Sequence, residues 1–350
     1  MTTLAPSTMS VRERFQAVMN FQPFDRLPIL EWAIWWNMTL DRWRKEGLPA
    51  RITNHAAMSE HFGLDLYLQD WISPRWADCP QPPGHGAALI NSHEEYERLK
   101  PKLYPPDPIQ AARWQEWAVL QKQGRAVLWF TLEGFFWFPR WLLGVEGHFY
   151  AMYDQPELIH RINSDLADWH IRMIEKVGVF CRPDFMTFAE DMSYNQGPML
   201  SEELFNTFLQ PYYKRVIPRL QERGVLALID SDGDITKAMP WFERAGLQGV
   251  LPLERHAGVD VSILRQDHPA MRFIGHFDKL TMSRGEAAMR QEFERLLPTA
   301  RQGGLLISCD HQTPPEVSYN DYLCYLALFR EYALLAGQAT SVGDKLRRER

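Results

Sequence analysis

Cysteine is scarce in this chain: there are four in 350 residues, Cys79, Cys181, Cys309 and Cys324, with no CxxC pair among them. That favours reduced thiols in a cytoplasm over a disulfide framework. No apolar run approaches the length of a membrane span, and the opening MTTLAPSTMS has no apolar signal-peptide core. Nor is there a basic excess. The 38 Lys and Arg against 44 Asp and Glu give a formal net charge of -6, which offers no electrostatic reason to expect nucleic acid or an anionic membrane. No GxGxxG or Walker spacing follows the first apolar run, so an open nucleotide-binding sheet lacks its fingerprint. Internal repeats and low-complexity tracts are missing too.

What is present is the composition of a globular protein, 45% hydrophobic and 23% charged. Ser10-Val-Arg-Glu13, Ser92-His-Glu-Glu95 and Ser283-Arg-Gly-Glu286 have the spacing of helix capping boxes. Seven short apolar runs read as strands: 27–36, 126–135, 184–192, 225–233, 247–254, 271–278 and 304–311. Helical patterns separate the later ones, for example Ser201 to Gln221 and Asp234 to Gly246. Apolar strands alternating with helices mean a parallel sheet covered on both faces, and seven or eight such units favour a (β/α)8 TIM barrel of class α/β. One barrel domain is expected over 10–338, with solvated tails at 1–9 and 339–350. The Pro-rich segment 37–125 is expected to elaborate the first loops near the barrel mouth, with a helix from about Ile109 to Gln123.

The strand ends carry the chemistry. Glu31, Glu133, Glu190 with Asp191, Asp230 with Asp232, Glu254, His276 with Asp278, and Asp310 with His311 all fall at or near the last residues of apolar runs. Carboxyl ends of barrel strands converge on the face where active sites are built. A buried acid without a partner is costly, so acids there call for a shared task. Two tasks fit: ligation of a divalent metal by carboxylates and an imidazole, or proton transfer by acids crowded among like charges. Asp234 reads instead as a turn or cap residue, and Cys309 as a small core residue.

RERFQAVMNFQPFDRLPI, EDMSYNQGPMLSEELFNTFLQPYYKRVIPRLQERG (190–224), DSDGDITKAMPWFERAGLQGVLPLE, IGHFDK and SCDHQTPPEVSYNDY together resemble the uroporphyrinogen decarboxylase superfamily, over roughly residues 10–335. The resemblance implies a (β/α)8 barrel and one of two activities. True uroporphyrinogen decarboxylases need no cofactor and grip a polycarboxylate substrate with N-terminal arginines. LPILEWAIWWN has none between Arg26 and Arg42, and its acid and aromatics suit such a substrate poorly. The other branch passes methyl groups to or from a corrinoid held by a partner protein, and binds zinc. The positions of its zinc ligands resemble Asp230, Asp232 and His311 here, with oxygen and nitrogen in place of the thiolates, which suits an oxygen substrate better than a thiol.

The resemblance thus implies an O-demethylating methyltransferase subunit with a divalent metal, zinc as in that branch, on Asp230, Asp232 and His311. Glu190, Asp191, Glu254, His276 and Asp278 are then the candidate catalytic groups. Glu31, Trp32, Trp35, Trp36, Phe135 and Tyr194 are candidates to line a pocket for a small, aromatic methoxylated substrate, with Trp71 and Trp137 nearby. A separate corrinoid protein would be the partner, because the chain has no corrinoid-binding Asp-x-His-x-x-Gly. The family's dimer is a further expectation. A metal-independent decarboxylase and a non-catalytic barrel are the alternatives.

Overall fold

The computed structural model describes residues 8–348, with side chains as far as Gly337. Nine strands occur among the described residues: β1 Leu66–Ile72, β2 Ala126–Glu133, β3 Phe185–Ala189, β4 Ser193–Tyr194, β5 Gly197–Pro198, β6 Leu226–Asp230, β7 Gly249–Leu251, β8 Arg272–Phe277 and β9 Leu305–Cys309. All but the β4–β5 ribbon belong to one sheet ordered β1-β2-β3-β6-β7-β8-β9. The pairs β2–β3, β3–β6 and β8–β9 are parallel, with helices between them. The fold is α/β and TIM-barrel-like, as the alternation of runs predicts.

Six of the seven expected runs contain a sheet strand. The first, 27–36, does not. Pro28 has no N–H to give a ladder, and its neighbours bond elsewhere: the Ile29 N–H donates to Asp65 Oδ2 at 2.9 Å, and the Trp32 N–H to Ser308 Oγ at 3.1 Å. The first sheet strand is instead Leu66–Ile72, inside the segment expected to be irregular. That segment also holds helices Asn37–Glu46, His55–Phe62, His93–Leu99 and Ala111–Lys122. Of the three capping boxes, Ser10–Glu13 makes both bonds, and Ser92 accepts from the Glu95 N–H. Ser283 does not cap. It lies in the 3-10 turn Lys279–Arg284, and Gly285, at φ 88°, starts the helix Glu286–Ala300. The last helix is Tyr319–Arg348. Of the tails expected at 1–9 and 339–350, residues 1–7 and 349–350 lie outside the described residues, and 339–348 continue the last helix.

The chain divides into two compact units, each made of separated segments. The first comprises 1–68, 119–127 and 250–350. Its core includes the fully buried rings of Phe277, Phe293, Tyr325 and Phe329, and Arg26 pairs with Asp65 through two hydrogen bonds of 2.7 and 2.9 Å. The second comprises 69–118 and 128–249. There the helix Pro156–Gly178 buries Leu158, Ile162, Leu166, Trp169 and Met173 at helical spacing. Across β2 and β3, Thr131 and Thr187 share a hydroxyl bond of 2.7 Å, and Gln69 donates to Thr131 at 2.9 Å. Two residues on, Glu133, Ala189 and Asp230 occupy one row. Residues in register on parallel strands project to the same face, so this row sets where the acids of the second unit point.

Candidate functional site

In the second unit, Asp230 ends β6 and Asp232 follows two residues later. Asp191 lies just past β3 in the left-handed region, at φ 42°. One carboxylate oxygen from each lies within 4.8 Å of the other two, and each residue is partly exposed. The backbone explains the convergence. The Glu190 and Asp191 N–H groups both donate to the Asp230 carbonyl, at 2.8 and 3.4 Å, and the Met192 N–H donates to Ser231 Oγ at 3.1 Å. The ribbon β4–β5 then clamps the second turn: the Asp234 N–H donates to the Tyr194 carbonyl at 2.9 Å. A Cβ on Gly233, at φ 82°, would come within 2.7 Å of the Tyr194 backbone, so only glycine fits that turn. Asp234 accepts from the Thr236 N–H at 2.9 Å, the turn role expected of it.

Burial pushes the Asp230 carboxyl well above the ordinary carboxylate range, and the charges of Asp191 and Asp232 add to the rise. Three acids held together in this way favour uptake of a cation or of a proton. Three oxygens within 4.8 Å need only a small contraction to reach the ~3–4 Å spacing of donors around a hard divalent ion. The residues present therefore fit a metal. Arg140 supplies fixed charge nearby: its Nη1 donates to the Asp191 carbonyl at 2.9 Å, and its guanidinium lies 4.7 Å from the Trp137 ring centre.

Glu190 has a different task from the catalytic one expected. It is fully buried and accepts from the N–H groups of Phe135, Phe136 and Trp137 at 2.7, 2.7 and 3.0 Å, and from the Tyr213 hydroxyl. Burial pushes it up to about 7, and those donors oppose the rise. It anchors the turn after β2, where a side chain on Gly134 would collide with its carboxyl group. Phe135, expected in a substrate pocket, is fully buried among His170, Phe188, Tyr212 and Tyr213. Tyr194 is 48% exposed beside the acid turns.

The remaining expected residues stand in the first unit. Glu31 is buried and accepts from Ser308 Oγ at 2.6 Å and the Cys309 N–H at 3.0 Å, while Trp32 Nε1 donates to the Cys309 carbonyl at 2.7 Å. These two residues fasten the end of β9. Both Glu31 and the Cys309 thiol are pushed upward by burial, which leaves Cys309 a poor nucleophile, as a core residue should be. Trp35 packs against His55, Phe62 and Tyr322; Trp36 is exposed at the start of the helix Asn37–Glu46. His276 is enclosed, with Nδ1 2.8 Å from the Leu253 carbonyl and Nε2 accepting from the Val261 N–H at 3.1 Å. Burial lowers it to about 4, so it is a neutral core histidine rather than an acid–base group. Asp278 accepts from the Leu280 N–H at 3.0 Å and caps the 3-10 turn. Glu254 is partly buried before the turn Arg255–Ala257, and its carbonyl accepts from the Ala257 N–H at 3.2 Å. Asp310 is buried against Lys279, with Nζ at 3.2 Å. His311 lies edge-on to Trp32 at 6.0 Å and is not part of the three-carboxylate group. Sequence reasoning missed Arg140 and Arg75, whose targets are set by tertiary structure. The one local signal was an arginine alone in the apolar run FWFPRWLL.

A model of the uroporphyrinogen decarboxylase family matches residues 142–332, more than half of the 350. The chain belongs to the uroporphyrinogen decarboxylase family. No curated protein matches its sequence. Among solved structures, a methyltransferase from Methanosarcina mazei superposes at a TM-score of 0.63 with 14% identity, covering 92% of this chain and 98% of that one. A putative vitamin-B12 independent methionine synthase from Listeria monocytogenes superposes at 0.42 with 12% identity, covering 88% of this chain and 97% of that one. At such identities the likeness to the Methanosarcina protein concerns the fold. Among the described residues no helix is long and apolar enough to cross a membrane.

Proposed function

We propose that this family member is a methyltransferase subunit that demethylates a small methoxylated compound, with a corrinoid on a separate protein as the methyl acceptor. The observation that carries the reading is the group Asp191, Asp230 and Asp232, whose oxygens gather where a family barrel builds its site. An all-oxygen donor set suits a hard or borderline divalent ion, magnesium, manganese or zinc, and an oxygen-bearing substrate. Bound there, such an ion would supply Lewis acidity to the ether oxygen that is left with the electron pair. The chain's own residues do the positioning. Arg140 holds the Asp191 backbone through its carbonyl, and Glu190 fixes the turn after β2 from which Arg140's helix begins. The fold of the Methanosarcina methyltransferase supports the assignment without deciding it.

A second reading has its own support. The raised Asp230 carboxyl could hold a proton and deliver it to a carbanion, the work of a metal-independent decarboxylase. Elemental mass spectrometry of the purified chain separates the two. Near-stoichiometric divalent metal in the wild type, lost in Asp230→Asn and Asp232→Asn, is the expected result. No metal after incubation with excess zinc, manganese and magnesium would sink the methyltransferase mechanism and turn the search to decarboxylation. His311→Ala in parallel tells whether an imidazole adds to the three carboxylates. If both activities fail and both Asn variants fold more stably, the cluster belongs to a non-catalytic barrel.

A further inference from the structure

In the second unit a recess of about 150 Å³ lies where β3 and β6 begin, lined by Pro183 and Val225 just ahead of those strands. Asp191, Asp230 and Asp232 stand at the other ends of the same two strands. At a strand's rise per residue, Val225 and Asp230 are roughly 17 Å apart. The recess is therefore distinct from the acid group and owes nothing to the function proposed for it.

Its inner wall is apolar. Phe130, Ile174, Val177, Leu220 and Val225 line it, and none is more than 3% exposed. Atoms beside an empty hollow lose dispersion contacts on that side, and walls without hydrogen-bonding groups give water little to hold. A hollow of this size with such walls has room for about six carbon atoms. Phe130, the one ring in the wall, is already engaged with Trp114 at 6.4 Å, and the other four residues are aliphatic. Such a wall suits a chain better than a stacked ring.

The rim is cationic. Arg182 and Arg223 line the recess, and each lies along a glycine: a Cβ on Gly224 would stand 3.3 Å from Arg182 Nη1, and one on Gly178 3.3 Å from Arg223 Nε. The helices Pro156–Gly178 and Gln210–Gln221 both end here, and their last carbonyls bring about half a negative charge each. Arg223 Nη1 meets part of it by donating to the Arg219 carbonyl at 3.2 Å. Two guanidinium groups against about one negative charge leave the rim positive, and among the described residues that line the recess none is acidic. Apolar walls under a positive rim match an apolar tail with an anionic head. We propose that the recess binds a short aliphatic carboxylate of about six carbons, its tail against Ile174, Val177 and Leu220 and its head on Arg182 and Arg223. The guanidinium fork takes a carboxylate through paired bonds.

Cys181 lines the same recess and can report on it. It and Cys324 are partly exposed, whereas Cys79 and Cys309 are buried. In the full-length chain, hexanoate should slow N-ethylmaleimide modification of Cys181 saturably and leave Cys324 unchanged, both followed by peptide mass spectrometry. Isothermal titration of the same samples gives the affinities. Each methylene from butyrate to hexanoate should tighten binding about fourfold, and the gain should stop by decanoate, whose tail outgrows the recess. The uncharged 1-hexanol, benzoate and inorganic phosphate should each bind at least tenfold more weakly than hexanoate. Arg182→Gln and Arg223→Gln should each weaken hexanoate at least fivefold; if either fails to fold, Arg182→Lys or Arg223→Lys decides, with a loss of at least twofold. No binding of hexanoate at millimolar concentration, binding that leaves Cys181 unprotected, equal affinity for hexanol, benzoate or phosphate, affinity that keeps climbing through decanoate, or indifference to both arginine substitutions would each overturn the proposal.

Discussion

Asp310 and Asp230 occupy equivalent places, one just past β9 and one at the end of β6, yet their surroundings are opposite. Burial raises both. At Asp310 the next largest influence is Lys279, which opposes the rise, and the carboxylate also accepts from the Arg255 and Lys279 N–H groups at 3.1 and 3.4 Å. At Asp230 the next largest influences are two more acids, Asp191 and Asp232, which add to it. The same sequence signal, an acid where an apolar run stops, therefore has two physical solutions. One neutralises the charge locally and stabilises the fold. The other gathers carboxylates beside one another, which is how functional sites trade stability for chemistry.

Breaking the satisfied acids should give the largest effects. Glu190→Ala removes the acceptor for three backbone N–H groups and the Tyr213 hydroxyl, and should cost about 4 kcal/mol in urea unfolding. Asp310→Ala strands the largely buried Lys279 and should cost about 3 kcal/mol by the same measurement. A loss under about 1 kcal/mol in either would mean that these acids are not the anchors described.

How far the sequence could see follows the same division. The strands whose apolar runs are continuous, such as AVLWFTLE and LLISC, were legible because both faces are buried. Leu66–Ile72 was not, since Gln69 and Asp70 interrupt its run to meet Thr131 and Arg113. The run at 27–36 looked like a strand because Glu31 and Trp32 are flanked by apolar residues, although their bonds go to Ser308 and Cys309, nearly 280 positions away. The Asp-x-Asp pattern located Asp230 and Asp232. That Asp191 joins them rather than Glu190 depends on the left-handed turn at 191, which no local pattern announces. Trp35 and Phe135 show the usual fate of aromatics, which is packing.

Proton linkage sharpens the comparison at an intermediate scale. Glu133 and Glu190 are each raised from 4.5 to about 7 in the folded chain by burial. Between pH 4.5 and about 7 these two carboxyls bind more protons in the folded chain than in the unfolded one, so their contribution to stability falls as pH rises through that window. The buried histidines His55, His148, His170 and His276, lowered to about 4, 3, 3 and 4, contribute in the opposite sense as pH rises toward 6.5. A substitution isolates one group from that sum: relative to the wild type, metal-free Glu133→Gln should gain about 2 kcal/mol in urea unfolding on going from pH 5.5 to 7.5. No such gain would mean that Glu133 is ionised at little cost in the fold.

The smallest expected effect discriminates best. Asp232→Asn should stabilise the metal-free chain by about 1 kcal/mol, because it takes one charge out of a cluster of three. The gain should vanish when the comparison is repeated with a divalent ion present, since the wild type is then stabilised by binding and the variant is not. Asp310→Asn makes the control: it removes the partner of a cation and should destabilise under both conditions. If Asp232→Asn proves destabilising in metal-free buffer, other contacts of Asp232 outweigh the repulsion among the three acids, and the contrast between Asp230 and Asp310 disappears.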